Sequence, residues 1–341
     1  MRAVRYDGQH VTLDATASDP APAANESVLR VLLASPDATD LATVRGQTGH
    51  VGTLGRRFVG TVLKVSSDPH AQPAKGTRVV AEINLPDAAS ELARRGLGRH
   101  DPDRRVLGLR GADGCLAERL AIPSRSLVEV PDELTDDQAV FAVPVADAVH
   151  TARLLRLDSK SYVTVIGESV DSLLAAQVMA RENHSVRLLT RDPAHLDLCE
   201  RWGVRRRHTD EAGRRHDQDV VLVSDATPES VDLALGMVRP RGTIVLRSAV
   251  LQRPGEAPQP YEPTAGEPCP GLDLRDAIDR EITLIGARCG PVRVGLQTLV
   301  SGTVDLGGLI SARFSLDDAV SALRAAAEPA SLAVVVDVAS S

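Results

Sequence analysis

Few side chains in this chain have the type and spacing that chemistry demands. Cysteine stands singly at 115, 199, 269 and 289, with no C-x-x-C pair and no histidine at metal spacing. These read as four buried or indifferent thiols. A second place of interest is Val165-Ile166-Gly167-Glu168-Ser169-Val170-Asp171-Ser172, where a short apolar run passes through a glycine into a helical pattern. A glycine-rich turn of this kind lets the backbone approach a phosphate and aims free helix N–H groups at it. Here only Gly167 supplies that freedom. Ser169 and Ser172 stand where further glycines are needed; each offers a hydroxyl but adds a Cβ. Glu168 and Asp171 place negative charge where the anion would lie, and an acid there also stabilises the helix with no ligand at all. Thr190-Arg191-Asp192 follows the next apolar run. If a phosphate binds, Arg191 suits it; a solvent-facing arginine is the other reading.

Those residues need elements to hold them. Before residue 150 the chain reads as strands and turns: Val28 to Leu33, Phe58 to Val65 and Arg78 to Ile83, with a turn at Lys75-Gly76. No strand–helix repeat interrupts them, which predicts a β-rich, barrel-like domain. Residues 84–105 are polar and rich in Arg and Asp, and read as an exposed lobe or long loop. From about residue 158 strands alternate with helices: strand Tyr162 to Ile166, helix Val170 to Arg181, strand Val186 to Leu189, helix Pro193 to Trp202, strand Val220 to Val223, helix Pro228 to Val238, a turn at Arg239-Pro240-Arg241-Gly242, and strand Thr243 to Leu246. That alternation predicts a parallel, doubly wound sheet. A Pro-rich insertion covers Leu251 to Gly271. Ile282 to Ile285 is a further strand, and Leu309 to Val336 reads as strand, helix (Leu316 to Ala327) and strand.

The 341 residues suit two domains, and 43% hydrophobic with 25% charged residues suits a soluble globular protein. Aromatics are only 2%, so Val, Leu, Ala and Ile must fill the cores. A formal net charge of -7 gives no reason to expect nucleic acid. The N-terminus lacks an apolar secretory core and no apolar run is long enough to span a bilayer, so a cytoplasmic address and no membrane partner are expected.

Ordered motifs along nearly the whole chain resemble the zinc-dependent alcohol dehydrogenase family of medium-chain dehydrogenases/reductases, including its threonine-dehydrogenase-like members. Asp37-Ala38-Thr39-Asp40-Leu41 lies where the family has C-G-T-D-L, and Leu54-Gly55-Arg56-Arg57-Phe58-Val59-Gly60 where it has L-G-H-E-F-V-G. Val106-Leu107-Gly108, Asp113-Gly114-Cys115-Leu116-Ala117-Glu118, Ala139 to Pro144, Gly286 to Gly290 and Phe314 to Ala319 resemble further family segments. The resemblance implies an α/β protein: a GroES-like β-barrel domain over 1–150, a Rossmann-type doubly wound parallel sheet over 151–290, and a segment, 291–341, returning to the first domain.

It also implies where chemistry would have been. The family's catalytic zinc is held by Cys, His and a variable carboxylate; those positions are Asp37, Arg56, Arg57 and Val143 here. Guanidinium has no lone pair to give, and two of them repel a dication, so zinc is not expected. Asp37 and Arg56 are expected either to form a salt bridge across the gap the metal would close, or to point to solvent with Arg57. Thr39 is a further polar contact. Many relatives carry a second, structural zinc on four cysteines; that spacing falls on Asp87, Ser90, Ala93 and Asp101. Without metal the lobe must rest on packing or on Asp–Arg pairs using Arg94, Arg95, Arg99, Arg104 or Arg105, and a mobile or re-folded lobe is expected.

Three functions follow. The first is a catalytically silent family member, a pseudoenzyme acting as a scaffold, regulatory subunit or partner of an active paralogue. The second is a zinc-independent NADP(H) oxidoreductase acting on a small carbonyl or activated alkene, with Gly167, Ser169, Ser172, Thr190 and Arg191 at the cofactor and Thr39, Arg56 or Arg57 at the substrate. The third is a protein that binds an anionic small molecule through Arg56 and Arg57 in the cleft between domains. No cofactor is required by the first, NADP(H) by the second. Relatives pair strands at the edge of the cofactor domain, so Ile282 to Ile285, an exposed apolar edge in a monomer, predicts a homodimer or a heteromer with a paralogue.

Overall fold

The computed structural model describes residues 1–67, 73–155, 161–182, 185–249 and 274–339, with the side chains of 193–196 and 248–249 left aside. The insertion expected over 251–271 lies outside the described residues. Two compact units result: Met1–Ala146 with Pro291–Gly302 and Leu306–Ser341, and Asp147–Gly290 with Thr303–Asp305.

The first unit is β-rich. Its seven-stranded sheet runs in the order Leu127–Glu129, Arg78–Ala81, Arg57–Lys64, Glu26–Ser35, Ala333–Asp337, Ile310–Ser315, with Arg119–Pro123 also pairing Glu26–Ser35. The central strand Glu26–Ser35 shows why. Leu29, Val31 and Leu33 are buried while Val28, Arg30 and Leu32 between them are not, the two-residue period of a pleated strand with one face on the core. The last two strands pair in parallel, and Ala333–Asp337 joins the central strand antiparallel, so the end of the chain completes the sheet its beginning started. The core beneath is aliphatic: Leu54, Leu107, Leu116 and Ile122 are fully buried, with Phe58 among them.

The second unit is a six-stranded sheet, wholly parallel, in the order Arg205–His208, Ser185–Thr190, Tyr162–Ile166, Gln218–Ala226, Val238–Ala249, Thr283–Gly286. Strand order therefore reverses beside Tyr162–Ile166, the switch point at which open α/β sheets place their ligands. Val163, Val165, Leu188, Val221 and Leu222 are fully buried, as near-continuous apolar strands in a parallel sheet must be. Helix Val170–Arg181 is buried almost all round. Its one buried amide, Gln177, is satisfied by both backbone groups of Asp305, donating Nε2 to the carbonyl at 3.0 Å and accepting the N–H at 2.6 Å.

Three expectations need correction. The turn at Arg239-Pro240-Arg241-Gly242 does not separate elements; it sits inside the strand Val238–Ala249 as an irregularity, with Arg241 at φ 60 and the ladder register broken opposite Gln218 and Val220. Helix Leu316 to Ala327 begins as a 3-10 turn, Leu316–Asp318, and is α-helical only over Ala319–Ala326. Residues 84–105 are not one open loop. They hold a two-stranded ladder between Asn84–Leu85 and Arg105–Val106, a short helix Glu91–Arg94 and a 3-10 turn Gly98–His100. Among the described residues no helix is long and apolar enough to cross a membrane.

Gly295 marks a tight contact. A Cβ on it would lie 1.9 Å from the Ala142 carbonyl oxygen, so helix Val292–Val300 can rest on the start of helix Ala142–Leu155 only without a side chain there. Gly295→Ala should destabilise the protein by about 1–3 kcal/mol through overpacking. Gly286→Ala, where nothing lies within 4 Å, should change little. Denaturant unfolding of the two variants side by side checks this.

Candidate functional site

Asp37 caps the helix Ala38–Val44. Its Oδ1 accepts the N–H groups of Thr39 at 2.8 Å and Asp40 at 3.2 Å, and its own N–H donates to Asp40 Oδ2 at 2.9 Å, a reciprocal capping box. The same carboxylate takes two arginines. Arg56 Nη2 donates to Oδ2 at 2.5 Å and its Nε reaches Oδ1 at 3.3 Å; Arg57 Nε lies 3.4 Å from Oδ2. Asp37 and Arg57 are buried, and the Arg56 side chain is only 14% exposed. Of the two readings of these residues, the geometry is that of the salt bridge and not of side chains in solvent.

The backbone turn that aims the arginines is fixed by Gly55, at φ +99, where a Cβ would collide with the Leu116 N–H 2.7 Å away. The Gly55 N–H donates to Asp40 Oδ1 at 2.8 Å. Burial opposes ionisation of Asp37, but the Arg56 and Arg57 charges outweigh it and hold the carboxyl down at about 2. Burial, and then the Asp37 charge beside it, push Asp40 up to about 7 against the pull of Arg56. Cys115 lies beneath, its Sγ 3.5 Å from the Arg57 carbonyl, and burial with the two nearby carboxyls pushes its thiol well up, so it is neither nucleophile nor ready ligand. Thr39 contributes backbone, its N–H to Asp37 and its carbonyl to the Thr43 hydroxyl at 2.9 Å. Val143 is buried in helix Ala142–Leu155 and has no donor atom.

Zinc does not fit this donor set. Of the four positions only Asp37 offers a carboxylate, and its oxygens already accept two backbone N–H groups and the Arg56 guanidinium. Among the described residues no three His, Cys, Asp or Glu side chains converge so as to hold a metal ion.

The lobe rests on hydrogen bonds and on ion pairs to glutamate. Ser90 caps Glu91–Arg94, its Oγ accepting the Ala93 N–H at 3.0 Å. Asp101 is buried; a hydrogen bond from the Ser90 hydroxyl, and then the Asp103 N–H at 2.9 Å, lower its carboxyl from the usual value. Two of the four positions thus meet each other directly. Asp87 closes its own turn through the Ala89 N–H at 2.9 Å, and Ala93 lies against Gly98. The arginines bind carbonyls, amide and glutamate: Arg104 Nε to Asn84 Oδ1 at 2.8 Å, Arg104 Nη1 to the Asp101 carbonyl at 2.7 Å, Arg110 to the Pro102 carbonyl at 2.6 Å, Arg105 to Glu26 at 2.8 Å.

At the switch point the phosphate loop is filled from within. Gly167 is needed for packing: a Cβ there would lie 2.8 Å from both Ser172 Cβ and Ser224 Cβ. The Ser172 hydroxyl turns back to the Ser169 carbonyl at 2.6 Å, and Ser169 caps helix Val170–Arg181 with backbone alone. Glu168 reaches across to the end of strand Ser185–Thr190, where its carboxylate accepts the Thr190 hydroxyl and the Arg191 N–H, the latter at 2.8 Å. Asp225, at the end of the next strand, is pushed up by burial and by Asp171, with Glu168 adding to it and Arg247 opposing. Arg247 itself donates to the Asp171 carbonyl at 3.0 Å and lies 3.9 Å from the Asp147 carboxylate. A pyrophosphate here would lie near the carboxylates of Glu168, Asp171 and Asp225, which oppose a second negative charge. Arg191 is exposed.

Asp40, Asp225 and Arg247 were missed in the sequence reading. The first had a signal: Asp37-Ala38-Thr39-Asp40 has the spacing of a capping box. The other two lie at strand ends distant in sequence, brought together only by strand order.

The signature of the alcohol dehydrogenase GroES-like domain matches residues 23–132. The chain is 28% identical over 277 residues to an L-threonine 3-dehydrogenase of Mesorhizobium japonicum, spanning 77% of this chain and 75% of that protein. It is 25% identical over 297 residues to a sorbitol dehydrogenase of Bombyx mori, spanning 84% and 82%. The solved alcohol dehydrogenase TADH from Thermus sp. ATN1 shares the fold with a TM-score of 0.82 over 99% of both chains, at 23% identity.

Two outcomes test this site. Asp37→Ala should cost about 3–5 kcal/mol, because both guanidinium groups stay buried without their counter-charge, whereas the charge-free triple variant Asp37→Asn/Arg56→Met/Arg57→Leu should recover most of it in the same denaturation assay. Asp40 sets the pH dependence. Folded, it keeps its proton up to about 7; unfolded, it loses it near about 3.9. The folded state binds the extra proton in between, so Asp40's contribution is complete below the lower value and declines as pH rises through the upper one. Asp37 acts oppositely and matters only as pH falls from about 4 towards 2. The unfolding midpoint of the native protein should therefore fall from about pH 5 to pH 8, and Asp40→Asn should flatten that slope.

Proposed function

We propose that this chain, which belongs to the medium-chain dehydrogenase/reductase superfamily, is an alcohol dehydrogenase-like protein in which the redox site has been replaced by structural chemistry, so that it serves as a scaffold, regulatory or partner subunit. The observation that carries the reading is the buried Asp37–Arg56–Arg57 cluster. A dehydrogenase of this type needs an electrophile beside the substrate oxygen. These side chains instead pair with one another and cap a helix, and the two guanidinium groups have no lone pair to serve as base or metal ligand. The self-satisfied loop around Glu168 supports the same reading, since hydride chemistry needs a dinucleotide whose phosphates this loop repels.

A partner role draws support from the sheet edge. Thr283–Gly286 is paired on one side only among the described strands, and Leu284 is 40% exposed with Ile278 nearby in sequence at 75%. Such an edge suits pairing with a second copy or a paralogue.

The alternative is a zinc-independent NADP(H) oxidoreductase. It is favoured by one observation, the exposed Arg191 at the end of strand Ser185–Thr190, where a 2′-phosphate would find a guanidinium. An anion held by Arg56 and Arg57 has less support, because Asp37 already engages both.

Titration with NADPH and NADH, followed by nucleotide fluorescence and calorimetry, separates the readings. The silent reading predicts no binding of either at about millimolar concentration, well above the usual cofactor range. It also predicts that Glu168→Gly/Ser169→Gly/Ser172→Gly, which empties the loop, gains measurable affinity. Micromolar NADPH binding by the unaltered chain would establish the reductase reading instead.

A further inference from the structure

The lobe holds a pocket that none of the readings above uses. Its volume is about 460 Å³, within the range of small-molecule sites. Pro86 and Gly98 give it an apolar, side-chain-poor wall, and Arg94, Arg99 and Arg125 line it with charge. Glu82 is the acidic residue on the same wall, but its Oε1 accepts the Val292 N–H at 2.8 Å, at the start of helix Val292–Val300, where the helix end offsets its charge.

Two of these arginines, Arg94 and Arg125, are exposed on the pocket wall. Arg125 donates to the Pro86 carbonyl, which fixes its guanidinium over the pocket wall. Arg94 leaves the last turn of Glu91–Arg94, and neither it nor Arg125 has a carboxylate partner among the described residues. Two guanidinium groups of like charge on one concave surface give it a positive field that attracts an anion. Nearby arginines of the same lobe show that pairing was available: Arg104 and Arg105 both found acceptors. Guanidinium forks match oxygen pairs on carboxylate and phosphate, and the wall between them suits a short carbon skeleton.

We propose that this pocket binds a small organic polyanion, a molecule with two or more anionic oxygens on a short carbon chain. The site is independent of the redox reading and would hold whether or not a dinucleotide binds elsewhere. Calorimetry of the full chain at low salt, with citrate, glycerol 3-phosphate and inorganic phosphate as probes, tests it. Citrate or glycerol 3-phosphate should bind more tightly than inorganic phosphate, and which of the two is tighter identifies carboxylate or phosphomonoester as the source. Arg94→Ala and Arg125→Gln should each weaken that binding about tenfold, the scale of one lost charge-assisted contact. Arg206→Ala, which removes an exposed arginine paired to Asp197 on the other unit, should leave it unchanged. If Arg125→Gln does not fold, the exposed Arg94→Ala decides alone. Absence of binding by both organic probes at about 5 mM, far above ordinary metabolite affinities, would overturn the proposal. Equal affinity in the native chain and Arg94→Ala would overturn it too.

Discussion

A carboxylate buried between two guanidinium groups and a helix N-terminus organises the first unit. Asp37 answers four needs at once: it caps a helix, anchors the Arg56–Arg57 turn, holds Arg57 at the head of a core strand, and adds to burial in raising Asp40. Such a cluster is costly to desolvate, and its ion pairs and capping hydrogen bonds offset that cost.

Two further polar sites are closed by contacts within their own units. In the lobe, Ser90 and Asp101 meet each other. At the switch point, Glu168 turns across the sheet to Thr190 and Arg191.

Much of this was legible in the sequence because it rests on local pattern. The apolar runs at Tyr162 to Ile166 and Val220 to Val223 point to buried parallel strands, and the opposite charges at 37 and 56 left a pair as one of two readings. Strand Arg205–His208 was invisible for a physical reason: it is an edge strand of three arginines and a histidine, with no apolar face to give a period. Helix Ala142–Leu155 hides similarly, since apolar residues on nearly every side leave no amphipathic stripe. Glu168's destination needed register. Ile166 pairs with Leu189, so the residues following each strand become neighbours, which no spacing along the chain reveals. In the lobe Arg104 and Arg110 bind backbone carbonyls and Asn84, partners that carry no charge signal in a sequence.

The central claim concerns donors, and metal content tests it most directly. Protein expressed in zinc-supplemented medium and passed through a desalting column should contain below about 0.1 equivalent of zinc by inductively coupled plasma mass spectrometry, as expected when one carboxylate stands in for a tetrahedral set. About one equivalent that survives desalting, and that is lost in Asp37→Ala, would contradict the account.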